Sequence, residues 1–169
     1  MRAYLSILLV ACAFALYGPK SAVVSLDPKT FKSEVINSDD LWLIEFYAPW
    51  CGHCKQLAPE WEKAAKALKG VIKVGAVDMD AHREVGGPYN VQGFPTIKWF
   101  GADKKKPGDY QSGRDANSIV DFALNQAKKA VKDRLSGKKS SSDNKSKSSS
   151  GGSKKSDGSD VVVLTADNF

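Results

Sequence analysis

The residues from Leu41 to Tyr47 are apolar at nearly every position, the pattern of a strand covered on both faces. The rest of the chain is patterned around this run. Upstream, Ala22 to Leu26 predicts a short strand. Asp27-Pro28 ahead of Lys29 to Val35 predicts a cap and a short helix. Downstream, Cys51 to Lys69 is rich in Ala, Leu, Lys and Glu and predicts a long helix, with a kink expected at Pro59. Val71 to Asp78 predicts a second apolar strand and Ala81 to Tyr89 a short irregular helix. Thr96 to Phe100 predicts a strand, Gly101 to Pro107 a charged turn and Asp109-Tyr110 a short edge strand. Asp115 to Leu135 closes the series as a helix with Ile119, Phe122, Ala123 and Ala127 on one face. A β-α-β half followed by a β-β-α half defines an α/β domain over residues 22–135.

The two ends do not follow this pattern. Arg2 precedes an apolar run from Leu5 to Leu16, too short to span a bilayer comfortably. With the small residues Ala13, Ala15 and Gly18 it has the form of a secretory signal peptide over residues 1–19, cleaved near 15 to 19. Its removal takes Cys12 with it, leaves one cysteine pair, and places that pair where disulfides persist. At the other end, residues 138–160 hold ten serines, six lysines, three aspartates, three glycines and one asparagine, with no apolar residue. Nothing there can bury surface, so a flexible linker is expected. Between leader and linker remain about 115 residues, enough for one domain with a core.

The formal net charge is +6, and the linker, with six lysines against three aspartates, contributes half of it. A basic stretch can mark nucleic acid or anionic lipid. This one lacks aromatic interleaving for bases and an amphipathic face, so we expect a solvated linker, no nucleic acid and no membrane anchor once the leader is gone. Asn144-Lys145-Ser146 is a glycosylation sequon. The last nine residues, 161–169, repeat the pattern of residues 23–31: Val, Val, Leu and Phe coincide between Val161–Phe169 and Val23–Phe31. They read as the start of a second copy of the domain, truncated at its first strand.

Between the central strand and the long helix lies Trp50-Cys51-Gly52-His53-Cys54. Unpaired backbone N–H groups and the positive end of the helix dipole favour an anion there, so Cys51 should ionise more readily than a free cysteine. The Cys-x-x-Cys spacing alone admits three uses. Zinc needs two more ligands; Cys12 is lost with the leader, and the histidines are His53, between the two cysteines, and His82. A structural disulfide gains by closing a long loop, and this loop is short. Redox chemistry remains, with neither metal nor cofactor required.

Phe46-Tyr47-Ala48-Pro49-Trp50-Cys51-Gly52-His53-Cys54-Lys55 resembles the active site of the protein disulfide isomerase family, within the thioredoxin superfamily. Gly93-Phe94-Pro95-Thr96 is similar to the loop that carries the family's cis-proline. The resemblance covers roughly residues 22 to 135. It implies a thioredoxin fold, a central mixed β-sheet flanked by helices, and resembles the branch with two adjacent N-terminal catalytic domains.

The resemblance also implies roles. Cys51 is the nucleophile of thiol–disulfide exchange, and Cys54 resolves the mixed disulfide. His53 tunes Cys51 toward the thiolate, and Gly52 leaves room at the strand–helix turn. Trp50, Phe94, cis-Pro95 and Thr96 offer a surface for an extended client. Glu45, a charged residue on a buried strand, moves protons to and from Cys54. Arg114 is the family's mobile arginine, which lowers the inner cysteine's pKa when it swings in. Many members place a lysine near this glutamate on the next strand; here the matching run is Gly75-Ala76-Val77-Asp78, with Ala76 where that lysine would stand, which leaves the charge partner of Glu45 open. The implied activity is isomerase and oxidoreductase chemistry on unfolded or misoxidised client proteins in the endoplasmic reticulum lumen, with glutathione or an oxidase as redox partner. A thioredoxin-like reductase and a client-binding chaperone are the competing readings.

Overall fold

A computed structural model describes residues 15–136. The central strand is β2 (Trp42–Tyr47), and every one of its residues is buried. Its neighbours are β3 (Lys73–Asp78), parallel, and β4 (Thr96–Phe100), antiparallel. The short strands β1 (Val24–Ser25), parallel to β3, and β5 (Gly108–Asp109), antiparallel to β4, complete a mixed sheet of order β1-β3-β2-β4-β5. The α/β order expected from the apolar pattern is therefore present. The edge strand lies one residue earlier than expected, although Tyr110 still donates its N–H to Ile97 O at 3.1 Å.

Helices cover both faces. Asp27 caps α1 (Pro28–Thr30) in a reciprocal box with Thr30, and the helix continues as a π-helical segment, Phe31–Ile36. The bond from Asn37 N–H to Lys32 O, 3.0 Å, shows the wider π turn. α2 (Gly52–Ala67) runs on through Pro59, and Gly70, at φ +82°, makes the left-handed turn that returns the chain to β3. α3 (Arg83–Gly86) passes into a 3₁₀ turn, Gly87–Tyr89. α4 (Ala116–Leu135) is capped by Asp115, and Glu60 of α2 accepts the Ala116 N–H at 2.9 Å, which ties the two long helices.

Side chains alternate along β2 with period two. Trp42, Ile44 and Phe46 enter a core with Phe31, Val35, Val77 and Phe100. Leu43 and Tyr47 enter the other, with Cys54, Leu57, Trp61, Ile97 and Ile119. Glu45 lies between Leu43 and Tyr47 on that second face, the face that α2 covers. Residues 1–14, with Cys12, and residues 137–169, which hold the expected linker and second-domain start, lie outside the described residues.

Candidate active site

Cys51 is the N-cap of α2. Its sulfur accepts the Cys54 N–H at 3.4 Å. Strand β2 delivers the chain to this point and α2 carries Cys54 one turn further in, so the two thiols differ sharply in setting. Cys51 keeps 8% exposure; Cys54 has none. Both are free thiols in this structure. Burial pushes the Cys51 thiol up, but the Cys54 S–H and the N–H groups of Cys54 and His53 outweigh it, and its pKa falls below the ordinary thiol value. Burial also pushes Cys54 up, and there nothing reverses it: its S–H is shared with Cys51, Glu45 adds a like charge, and the pKa rises to about 12.

The loop before β4 closes the front of the site. The Phe94–Pro95 peptide is cis, as the resemblance implies. The Cys51 thiol donates to Phe94 O at 3.5 Å. Thr96 Oγ1 donates to Gly93 O at 2.7 Å and steadies the turn. Trp50 stands out from the surface, 67% exposed, with its ring edge-on to Phe94 at 6.1 Å between centroids. His53 is exposed and acts on Cys51 through its backbone N–H. The expectation that Gly52 leaves room is corrected: a Cβ there would meet no atom within 4 Å, so steric crowding does not require the glycine.

Glu45 is fully buried behind the thiols. Its register neighbours are Ala76 on β3 and Ile97 on β4, so neither strand gives it a cation. Tyr17, buried at 5% exposure, supplies the hydrogen bond instead, donating its phenolic O–H to Glu45 Oε2. Glu45 Oε1 has no hydrogen-bond partner. Burial drives the Glu45 pKa up to about 7, against the lowering effects of the Tyr17 bond and the Arg114 charge. Arg114 itself is exposed in the loop before α4 and makes no ion pair with Glu45. Among the described residues no cluster of three or more His, Cys, Asp or Glu could hold a metal.

The structure thus brings Cys51, Cys54, Glu45, Phe94 and Pro95 together, sets Trp50 at the rim and leaves Arg114 outside. The partner missed by sequence reasoning is Tyr17, which fell within the expected leader. Its signal was a polar-tipped aromatic directly after the apolar run Leu5 to Leu16, which itself holds no tyrosine or tryptophan.

Comparison with known proteins agrees with this geometry. The thioredoxin family model matches residues 22–125. The protein disulfide-isomerase A6 homolog of Caenorhabditis elegans is 60% identical over 84% of this chain and 32% of its own length. Protein disulfide-isomerase A6 of Mesocricetus auratus is 54% identical over 95% of this chain and 37% of its own. The chain therefore spans about a third of the length of the curated relatives it matches. Among solved structures, the first thioredoxin domain of mouse protein disulfide-isomerase A4 superposes with a TM-score of 0.56 at 38% identity, covering 63% of this chain and 76% of that one. The β-sheet, its helices and the dithiol at the head of α2 are a thioredoxin fold, and the chain belongs to the thioredoxin family, on its protein disulfide isomerase branch.

Proposed function

We propose that this protein is a thiol–disulfide oxidoreductase and isomerase that forms, breaks and rearranges disulfides in secretory-pathway clients. The observation that carries this is the split between the two thiols: Cys51 exposed at its edge and acidified, Cys54 buried and held protonated. The Cys51 thiolate attacks a client disulfide; one client sulfur leaves with the electron pair and the other is joined to Cys51. Once Cys51 is ionised or bonded it no longer donates to Phe94 O, and that carbonyl is free for an N–H of an extended client. Trp50 and Phe94 add an apolar rim beside it. Cys54 then gives up its proton to Glu45, attacks Cys51 and expels the client thiolate, which closes the Cys51–Cys54 disulfide. Run backwards, the same steps donate a disulfide. Arg114 swings toward the dithiol to favour the Cys54 thiolate during resolution.

The leader ends on the N-terminal side of Leu16, within the N-terminal 15 residues, since Leu16 and Tyr17 pack against the domain. The endoplasmic reticulum lumen is the working compartment and glutathione or an oxidase restores the pair. Residues 138–160 tether the domain to a second one beginning at 161–169. The test is the reduction potential of the Cys51–Cys54 pair: a value near the ~−180 mV of protein disulfide isomerase supports the proposal, and one near the ~−270 mV of thioredoxin would favour a reductase.

A further inference from the structure

Glu45 has an uncommon setting. It is fully buried, both flanking strands offer it apolar neighbours, and one of its oxygens is unpartnered. An isolated buried carboxylate is strongly disfavoured, so whatever touches it governs whether it can hold charge. The single hydrogen bond it receives comes from Tyr17, 28 residues away in sequence.

Tyr17 is held in place for this contact. Its ring packs edge-on against Tyr47 at 5.6 Å between centroids. The segment behind it is pinned to α2: Glu62 accepts from Ser21 Oγ and from the Ala22 N–H at 3.1 Å. The donor and acceptor are thus fixed by separate anchors, one on the N-terminal segment and one on β2.

The other titratable groups facing Glu45 are Cys51 and Cys54 from α2, Tyr47 on its own strand and Arg114 from the loop before α4. Asp78 pairs in register with Tyr47 and acts on it rather than on Glu45. In the reduced resting state neither thiol hydrogen-bonds the carboxylate, because the Cys54 S–H is shared with Cys51 and the Cys51 thiol faces Phe94 O. Only once Cys51 is bonded to a client is the Cys54 proton released from that contact. Arg114 is exposed. Tyr17 is the one buried donor to the carboxylate among the described residues.

We infer that Tyr17 is a positioning residue for the proton relay: its phenol holds Glu45 Oε2 in place of the cation that β3 and β4 do not supply, and leaves Oε1 free to take the proton from Cys54. The inference rests on the relay proposed above. In the step itself the Cys54 S–H bond breaks and a Glu45 Oε1–H bond forms. The Cys54 thiolate then attacks Cys51, and the Cys51–client bond breaks with its electron pair on the client sulfur. Tyr17 keeps its proton throughout; burial and the adjacent carboxylate raise its pKa above the ordinary phenol value.

The test uses the full chain after leader cleavage, as wild type, Tyr17→Phe, Glu45→Gln and the double variant. A further sample carries 3-fluorotyrosine at position 17, which keeps the shape and strengthens the donor should Tyr17→Phe fold poorly. Glu45 is titrated by its carboxyl infrared band, identified by its loss in Glu45→Gln. The resolving step is followed by stopped flow across pH. Tyr17→Phe should move both the carboxyl titration and the pH limb of resolution upward by about one unit. Fluorotyrosine should move both downward, and Tyr17→Phe should leave the pH dependence of Glu45→Gln unmoved. A carboxyl titration unmoved by either replacement in folded protein overturns the Tyr17 assignment with the relay intact, as does a moved titration with an unmoved kinetic limb. Equal resolving rates for Glu45→Gln and wild type overturn the relay and this inference together. A mature N-terminus beyond Tyr17 overturns the inference outright.

Discussion

Glu45 stands directly across the parallel β2–β3 pairing from Ala76. Side chains in register on adjacent strands share a face, so the residue at 76 decides whether the carboxylate meets a cation. Ala76→Lys should bring an ammonium to Glu45 and lower its pKa from about 7. The pH limb of mixed-disulfide resolution should shift downward, read by stopped flow. Because Ala76 is 2% exposed, the added side chain should also cost stability of roughly 1–3 kcal/mol, read by denaturant unfolding.

Removing the base has a distinct signature. Glu45→Gln keeps the shape and deletes the proton acceptor, so resolution through Cys54 should slow while Cys51 alkylation stays close to wild type. Stability should also change with pH. The folded pKa of Glu45 is raised to about 7 from an ordinary 4.5, so the folded state binds this proton more tightly than the unfolded chain does. That contribution is complete below about pH 4.5 and is lost as pH rises through 7, to a limit on the order of 3 kcal/mol. Unfolding of wild type against Glu45→Gln from pH 4.5 to 8 should show that loss in wild type and its absence in the variant.

The two thiols should be separable by alkylation alone. In reduced, folded protein at mildly acidic pH, iodoacetamide should label Cys51, whose pKa is lowered, and spare Cys54, whose pKa is raised to about 12. Peptide mass mapping reads the order. Labelling of Cys54 first would reverse the assigned roles. Changing Cys54 to Ala should trap clients on Cys51 as mixed disulfides.

Arg114 is exposed and outside any ion pair among the described residues, so Arg114→Gln should leave stability within about 0.5 kcal/mol of wild type. If the arginine serves the dithiol by moving inward, the same variant should slow resolution at neutral pH. A rate equal to wild type would leave Arg114 as a surface residue.

Much of this arrangement was legible in local pattern. The apolar run at Leu41–Tyr47 marked the buried strand, Asp27 marked its cap, and a carboxylate inside that run marked Glu45 as out of place. These signals survive because each depends on near neighbours or on burial. The π-helical segment at Phe31–Ile36 left no such trace, since α and π turns draw on the same residues. Tyr17 was hidden for another reason: its bond to Glu45 is long-range, and an apolar stretch beside a start residue reads as leader whatever its last tyrosine does. The cis state of Pro95 was carried by resemblance alone. The missing lysine at Ala76 was visible as an absence, but only the fold shows which residue fills the gap.

The four tryptophans divide three to one. Trp42, Trp61 and Trp99 are buried, and Trp50 is 67% exposed at the rim of the dithiol. Trp42 Nε1 donates to Glu34 O at 2.9 Å and Trp61 Nε1 to Gly75 O at 3.3 Å, so two of the three are locked to backbone as well as covered. Their emission should be blue-shifted and sheltered from acrylamide, while Trp50 emits at the red edge and is quenched freely. The protein therefore carries two optical reporters of its own: quenching at the red edge falls when a client covers Trp50, and the blue component changes only when the fold opens.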